Sequence, residues 1–449
     1  MSGPLPAALD GTVLRILATS DLGATTVPLR TSYGESGTCA GVVALLERER
    51  ERQPTIWLDL GDLVVGTPAY PLLGERPWDE VADLPIAAAA VGNHEFDDGI
   101  DALLAAVPRL SFPLLCANVD VGLPGSTVVD TEGGPVGVIG LTHPASDRFS
   151  QAPPIADWHD RVRVLARDLR REGARWVVAL LHDGVEWWPG DDGGPPIATR
   201  SERLDGVARP WADQVDLILC GHNFGSWVGT LGGTPAAEPH LFAASLSVVD
   251  LAPAPVVRGI HQVPPVRPAT PTRATAAVDA AAARVVGELA DRWVTRTGAP
   301  HYLPDLIAEG LRTATGADAG FVMPNFHAIQ APIDGVIAAL GPGPVTELDV
   351  LRPLAALDYD PVVAELRPGE LERVIESFWA TADPRNVAAD RLWWNWCRMP
   401  AGTSVGAASP HTVAMIPAVV AHTSEWLGRD VAAEPAGVSA RDALIGALS

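Results

Sequence analysis

Five residues of types that bind divalent ions follow short apolar runs: Asp21 after VLRILATS, Asp62 after TIWLDLG, Asn93 after IAAAAVG, His182 after WVVALL and His222 after DLILCG. Carboxylate, amide and imidazole donors together suit an ion of the Mn, Zn, Fe or Co class, with no thiolate involved. Taken singly, Asp62 reads as a turn aspartate and His222 as a hydrogen-bonded structural histidine. Their joint occurrence at the ends of apolar runs favours one shared metal site. Cys39, Cys116, Cys220 and Cys397 lie far apart without CxxC spacing, so neither a disulfide framework nor a thiolate metal site is expected.

The elements that must hold these residues are legible as a pattern. From about 12 to 251, the runs VLRILAT, TIWLDL, IAAAAV, PLLCANV, PVGVIGL, WVVALL, DLILC and LFAASLSVVDL alternate with helical stretches, an α/β arrangement. Ligands collect at the carboxyl ends of strands in such sheets, where loops converge on positions the strands hold still. Residues 1–251 therefore read as a metal-binding domain. Across 252–298 the dense prolines of APAPVVRGIHQVPPVRPATPTRA predict an irregular linker, and TAAVDAAAARVVGELADRWVTRTG predicts a bridging helix ending at Gly298. Residues 299–449 read as a second α/β domain, with helices at PDLIAEGLRTATG, GELERVIESFWA and SARDALIGAL and strands near AGFVMP and PVVAELR.

The chain has 449 residues, 47% of them hydrophobic, enough for a buried core in each of two domains. With 55 acidic against 32 basic residues, none of them lysine, the formal net charge is −23, which excludes a nucleic-acid polymer or anionic membrane as an electrostatic partner. The N-terminus has no basic region ahead of an apolar run longer than strand length, so a cytoplasmic location is expected.

GDLVVGTP, GNHEFDDGID and PLLCANV resemble the metallophosphoesterase (calcineurin-like) superfamily, specifically its bifunctional 5′-nucleotidase and 2′,3′-cyclic-nucleotide phosphodiesterase branch. GELERVI and SARDALIGAL are similar to that branch's C-terminal domain. The resemblance implies an N-terminal α/β/β/α sandwich of two mixed sheets, a C-terminal nucleotide-binding α/β domain, and a site between them. In the family's Asp-x-His motif this chain has Asp21, Leu22 and Gly23, and in Gly-His-x-His it has Gly221, His222, Asn223 and Phe224. Both lost histidines serve the same metal in the family, whereas the ligands of its neighbour match Asp62, Asn93, His182 and His222. One divalent ion (Mn, Zn, Fe or Mg) is thus expected, with the second weak or absent, Phe224 filling the gap, and His143 a candidate replacement ligand.

The resemblance also implies that His94 steadies the phosphoryl group or protonates the leaving oxygen, oriented by Asp97. Asp21, relieved of one cation, would pair with an arginine, carry a proton or act as a general base. In the second domain the family's Asn-x-Gly-Gly-Ile-Arg segment corresponds to Asn325 through Gln330, so a cationic contact becomes an amide. Tyr359 and Trp426 are the candidates for stacking on a base, and Trp393, Trp394 and Trp396 read as core, domain interface or an aromatic wall. The leading expectation is a metal-dependent phosphoesterase acting on a small nucleotide-like phosphomonoester. Its alternatives are a non-catalytic binding module and an enzyme running another reaction on a nucleoside-like compound.

Overall fold

The computed structural model describes residues 4–28, 30–31, 34–146, 150–155, 158–185, 187–188, 197–198, 202–223, 226–294, 300–321, 339–354, 360–374 and 411–448. Its chain divides into two units, Met1–Val65 with Glu75–Trp187 and Ala198–Thr275, and Gly66–Gly74 with Trp188–Ile197 and Ala276–Ser449.

Two six-stranded sheets build the first unit. Their strands are β1 (Leu14–Thr19), β2 (Thr55–Asp59), β3 (Ala88–Ala90), β4 (Leu114–Leu115), β5 (Ser126–Val129), β6 (Val136–Leu141), β7 (Trp176–Leu181), β8 (Leu217–Cys220), β9 (Trp227–Leu231), β10 (Thr234–Glu238), β11 (Ser245–Leu251) and β12 (Pro255–Gln262). One sheet runs β12-β11-β1-β2-β3-β4 and the other β9-β10-β8-β7-β6-β5. Both are mixed: β1 pairs parallel to β2 and antiparallel to β11, while β8 pairs parallel to β7 and β9 antiparallel to β10.

The central strands are mostly apolar because both of their faces are covered. Ile16, Ala18 and Leu58 point into the layer between the sheets, where they meet Val138, Val178 and Leu219. Their neighbours Leu17 and Trp57 point the other way, against Val42, Leu45 and Leu46 of helix α1 (Cys39–Arg50). On the second sheet Val177 and Ala179 meet Val162, Ala166 and Leu169 of helix α2 (His159–Arg171). The resulting order of layers is helix, sheet, sheet, helix, as the sequence implied.

Arg15 of β1 is 0% exposed and ties several elements together. Its Nε donates to Asp250 Oδ1 at 2.8 Å and its Nη1 to Glu49 Oε2 at 2.7 Å and the Pro6 carbonyl at 2.9 Å. Arg258 adds a second cation to Asp250 at 2.6 Å. Arg15→Met should strip a buried cation from two buried carboxylates. The expected loss is about 3–5 kcal/mol of unfolding free energy, read from urea denaturation at neutral pH.

Two stretches differ from their sequence readings. The proline-rich segment is not irregular throughout, because Pro255–Gln262 forms β12 along β11. VVRGIHQ alternates well enough to form a sheet edge, and proline is tolerated at the first residue of an edge strand. The bridging helix stops early: Arg273–Ala283 is helical, but Val285–Leu289 is a strand paired antiparallel with Gly343–Thr346. Two adjacent β-branched valines and a glycine weaken the helix there, and a Cβ on Gly287 would lie 2.7 Å from Leu448 Cβ.

In the second unit a four-stranded sheet takes the order Ala319–Phe321, His411–Met415, Val362–Leu366 and Ala433–Pro435. Helices Leu303–Thr315 and Ala440–Gly446 form where the sequence placed them, and share a core through Ile307, Leu311, Ala443 and Leu444.

Candidate metal centre

The loops after β1, β2, β3, β7 and β8 carry Asp21, Asp62, Asn93, His182 and His222 respectively, all at the carboxyl ends of parallel strands. Asp21, Asp62 and His222 adopt φ values of 52°, 56° and 70°. This left-handed backbone is costly for most residues, and Asp, Asn and His tolerate it best. Beneath them, Trp57 Nε1 donates to Thr19 Oγ1, which donates to Asp59 Oδ2, both at 2.6 Å. Asp59 Oδ1 accepts the Gly61 N–H at 2.9 Å and so holds the turn that presents Asp62.

Glu95 joins this turn to the next loop, and the sequence reading assigned it no role. Its carboxylate accepts the backbone N–H groups of Asp62 at 2.9 Å, Leu63 at 2.8 Å and Gly92 at 2.6 Å. Burial, then the Asp62 charge, pushes this carboxyl up to about 7 against the pull of the N–H donors. Gly92 permits the approach, since a Cβ there would fall 2.1 Å from Asp62 Oδ1. The available signal was an acid directly after Asn93-His94 in a segment otherwise read as a turn. Glu95→Gln replaces an acceptor oxygen by an amide N–H and should weaken Mn²⁺ affinity about tenfold, measured by titration calorimetry.

His182 sets the direction of the group. One imidazole nitrogen, Nδ1, donates to the Leu60 carbonyl at 2.8 Å, which leaves Nε2 facing Asp62 Oδ2 and Asn93 Oδ1, both at 3.1 Å. Three potential lone-pair donors aimed at one another require positive charge among them. Burial disfavours the His182 cation, yet the Asp62 carboxylate overrides this and lifts the imidazole to about 10. A divalent ion would displace that proton and satisfy all three atoms. Asp62, His182 and His222 also offer ligand atoms within 4.8 Å of one another, so the donor set fits one ion. Burial, then the charges of His143 and His182, holds the His222 imidazole far below the usual histidine range, in the neutral form a ligand needs.

Asp21 lies beside this group. Its Oδ2 accepts the His222 N–H at 3.1 Å and the Ser20 hydroxyl. Burial, opposed by His182 and reinforced by Asp62, raises its carboxyl to about 7. Among the described residues no arginine pairs with it. Gly23 is a turn residue whose N–H donates to the Asp62 carbonyl at 3.2 Å. Phe224, expected to fill the space of the lost histidines, lies outside the described residues.

His143 is not placed as a replacement ligand. It is not in the group of ligand atoms that Asp62, His182 and His222 form; its Nδ1 accepts the Ala145 N–H at 3.1 Å and its Nε2 lies 3.6 Å from Asp183 Oδ1.

His94 and Asp97 do form a pair, with Nδ1 and Oδ2 2.8 Å apart, and the His94 N–H donates to Asp62 Oδ1 at 2.9 Å. Burial opposes the charge on His94, but Asp97 and then Asp62 outweigh it and raise the imidazole to about 9. Arg76 bridges Asp97 at 3.4 Å and Asp98 at 2.7 Å from the far side.

Trp426, on helix Pro417–Leu427, packs against the apolar cluster of Leu371, Val374 and Met415 in the second unit. Asn325, Gln330, Tyr359, Trp393, Trp394 and Trp396 lie outside the described residues.

Residues 14–223 match the family model described as calcineurin-like phosphoesterase. A 2′,3′-cyclic-nucleotide 2′-phosphodiesterase/3′-nucleotidase of Salmonella typhimurium is 25% identical over 277 residues, covering 53% of this chain and 43% of the relative. A 5′-nucleotidase of Diplobatis ommata is 30% identical over 197 residues, covering 38% of this chain and 34% of the relative. The chain spans less than half the length of the curated relatives it matches. The crystal structure of a 5′-nucleotidase precursor from Thermus thermophilus superimposes with a TM-score of 0.72 at 20% identity, covering 97% of this chain and 96% of that one, a likeness of fold.

Proposed function

We propose that this chain, whose residues 14–223 match the calcineurin-like phosphoesterase family model, hydrolyses phosphomonoesters of nucleotides or nucleotide-like metabolites at a single-metal centre. The observation that carries the reading is His182 Nε2 facing Asp62 and Asn93 at 3.1 Å, one hydrogen bond away from the His94–Asp97 pair. Asp62, Asn93, His182 and His222 would hold the ion. When bound, a divalent ion supplies Lewis-acid polarisation of a phosphoryl oxygen.

The chain's own groups do the rest. Asp97 accepts from His94 Nδ1 and keeps the imidazole protonated, which leaves Nε2–H as the donor toward the departing oxygen. Asp21, a buried carboxylate held by the His222 N–H, would take a proton from the attacking water. Relatives named as nucleotidases support the substrate class.

The test is metal content of the purified chain, measured with phosphate release from nucleoside monophosphates, cyclic nucleotides and sugar phosphates under added Mn²⁺, Zn²⁺ or Mg²⁺. One equivalent of metal and release from nucleoside monophosphates are expected. Two equivalents would overturn the single-metal reading. A metal-loaded chain that releases phosphate from nothing on the panel would overturn hydrolysis in favour of a binding module.

A further inference from the structure

Behind His222 lies a row of polar groups that the chemistry above does not use. Arg203 grips Asp183 through both carboxylate oxygens, Nη1 to Oδ2 at 2.8 Å and Nη2 to Oδ1 at 2.7 Å, and reaches the Gly184 carbonyl at 3.1 Å. The Asp183 side chain is 0% exposed, and its Oδ1 also accepts the Gly184 N–H at 2.8 Å. Opposite this clamped carboxylate stands His143, with Nε2 3.6 Å from Oδ1. The other edge of the same ring is pinned by the Ala145 N–H at 3.1 Å. The face of His143 then meets the ring of His222, centroid to centroid 4.4 Å, at an interplanar angle of 43°.

The two candidate imidazole ligands are therefore braced differently. His182 is oriented by the Leu60 carbonyl on its own Nδ1. His222 sits on a turn at positive φ, with its backbone N–H given to Asp21, and its ring lies 4.4 Å from that of His143 and 5.2 Å from that of His182, centroid to centroid. A ring hydrogen-bonded at one edge and faced at the other by a clamped carboxylate has little room to turn. An imidazole packed on such a ring loses little rotational freedom when it binds an ion, and this preorganisation appears as affinity.

We propose that His143, held by the Ala145 N–H and facing the Asp183 carboxylate that Arg203 clamps, is a positioning residue that orients His222 toward the ion and sets the affinity of the centre. The inference rests on the metal-centre reading but not on hydrolysis. Neither His143 nor Arg203 touches the ion in this account; they act through the ring of His222.

The experiment is Co²⁺ titration of the full chain, read by calorimetry and by the visible absorption of the bound ion, with circular dichroism and melting of the metal-free protein as controls on folding. His143→Ala should weaken Co²⁺ binding by about 10- to 100-fold and alter the absorption band, while Asp183→Asn, which loosens the Arg203 clamp, should do the same to a smaller degree. His143→Phe keeps a ring against His222 without the Asp183 link, and should recover part of the affinity lost in His143→Ala. Native affinity and an unchanged band in His143→Ala would overturn the proposal. If that variant does not fold, native affinity and band in Asp183→Asn would overturn it equally. A native chain that binds no Co²⁺ would overturn both this inference and the proposed function; a chain that binds metal but hydrolyses nothing would leave the inference standing.

Discussion

Asp62→Asn should remove both bound metal and phosphate release, with turnover falling about 10³-fold or more. The substitution is chosen to spare the fold. Asp62 sits at φ 56°, where asparagine is as well tolerated as aspartate, and the amide oxygen can still accept the His94 N–H now held at 2.9 Å by Oδ1. What disappears is the negative charge 3.1 Å from His182 Nε2. Without it the remaining donors are neutral, and a buried divalent ion loses the charge that offsets its desolvation. The charge stabilisation such an ion supplies amounts to several kcal/mol, which sets the size of the rate loss. The check is metal content by elemental analysis beside phosphate release at saturating Mn²⁺. A variant that keeps its metal yet loses activity would move Asp62 out of the ligand group.

His94→Ala should behave in the opposite way, losing about 10²- to 10⁴-fold in kcat while binding metal as the native chain does. The hydrogen bond from His94 to Asp62 comes from the backbone N–H, and alanine retains it. The side chain is 24% exposed and its Nδ1 is engaged by Asp97, so removing it takes away a proton donor and leaves the donor set untouched. Asp97→Asn should lower kcat less, because the imidazole remains but its orientation and protonated form lose their carboxylate support. A split in which KM rises and kcat holds would recast His94 as a group that binds phosphate equally in ground and transition states.

Much of this centre was legible from local signals. Asp62, Asn93, His182 and His222 each follow an apolar run, and those runs read as strands because burial on both faces of the central strands favours apolar residues. Parallel strands place their carboxyl ends side by side, so five loops distant in sequence were readable as one site before any geometry was known. The His94–Asp97 pair was implied by the resemblance of GNHEFDDGID, and the two side chains meet three residues apart on one turn.

Tertiary structure decided whatever depends on a partner far along the chain. VVRGIHQ and VVGEL are strands because β11 and Gly343–Thr346 supply hydrogen bonds that composition does not announce. Glu95 is a clamp only because the turns at Asp62 and Gly92 meet it. Arg203, Asp183 and His143 carry no motif, and no spacing between residues 143, 183 and 203 marks them as neighbours; they become one row when β6 and β7 lie parallel and deliver their following loops to the same edge. A strand's apolar pattern records its own burial. The direction of a side chain beyond the strand's end is set by the groups that close around it, and those come from elsewhere in the chain.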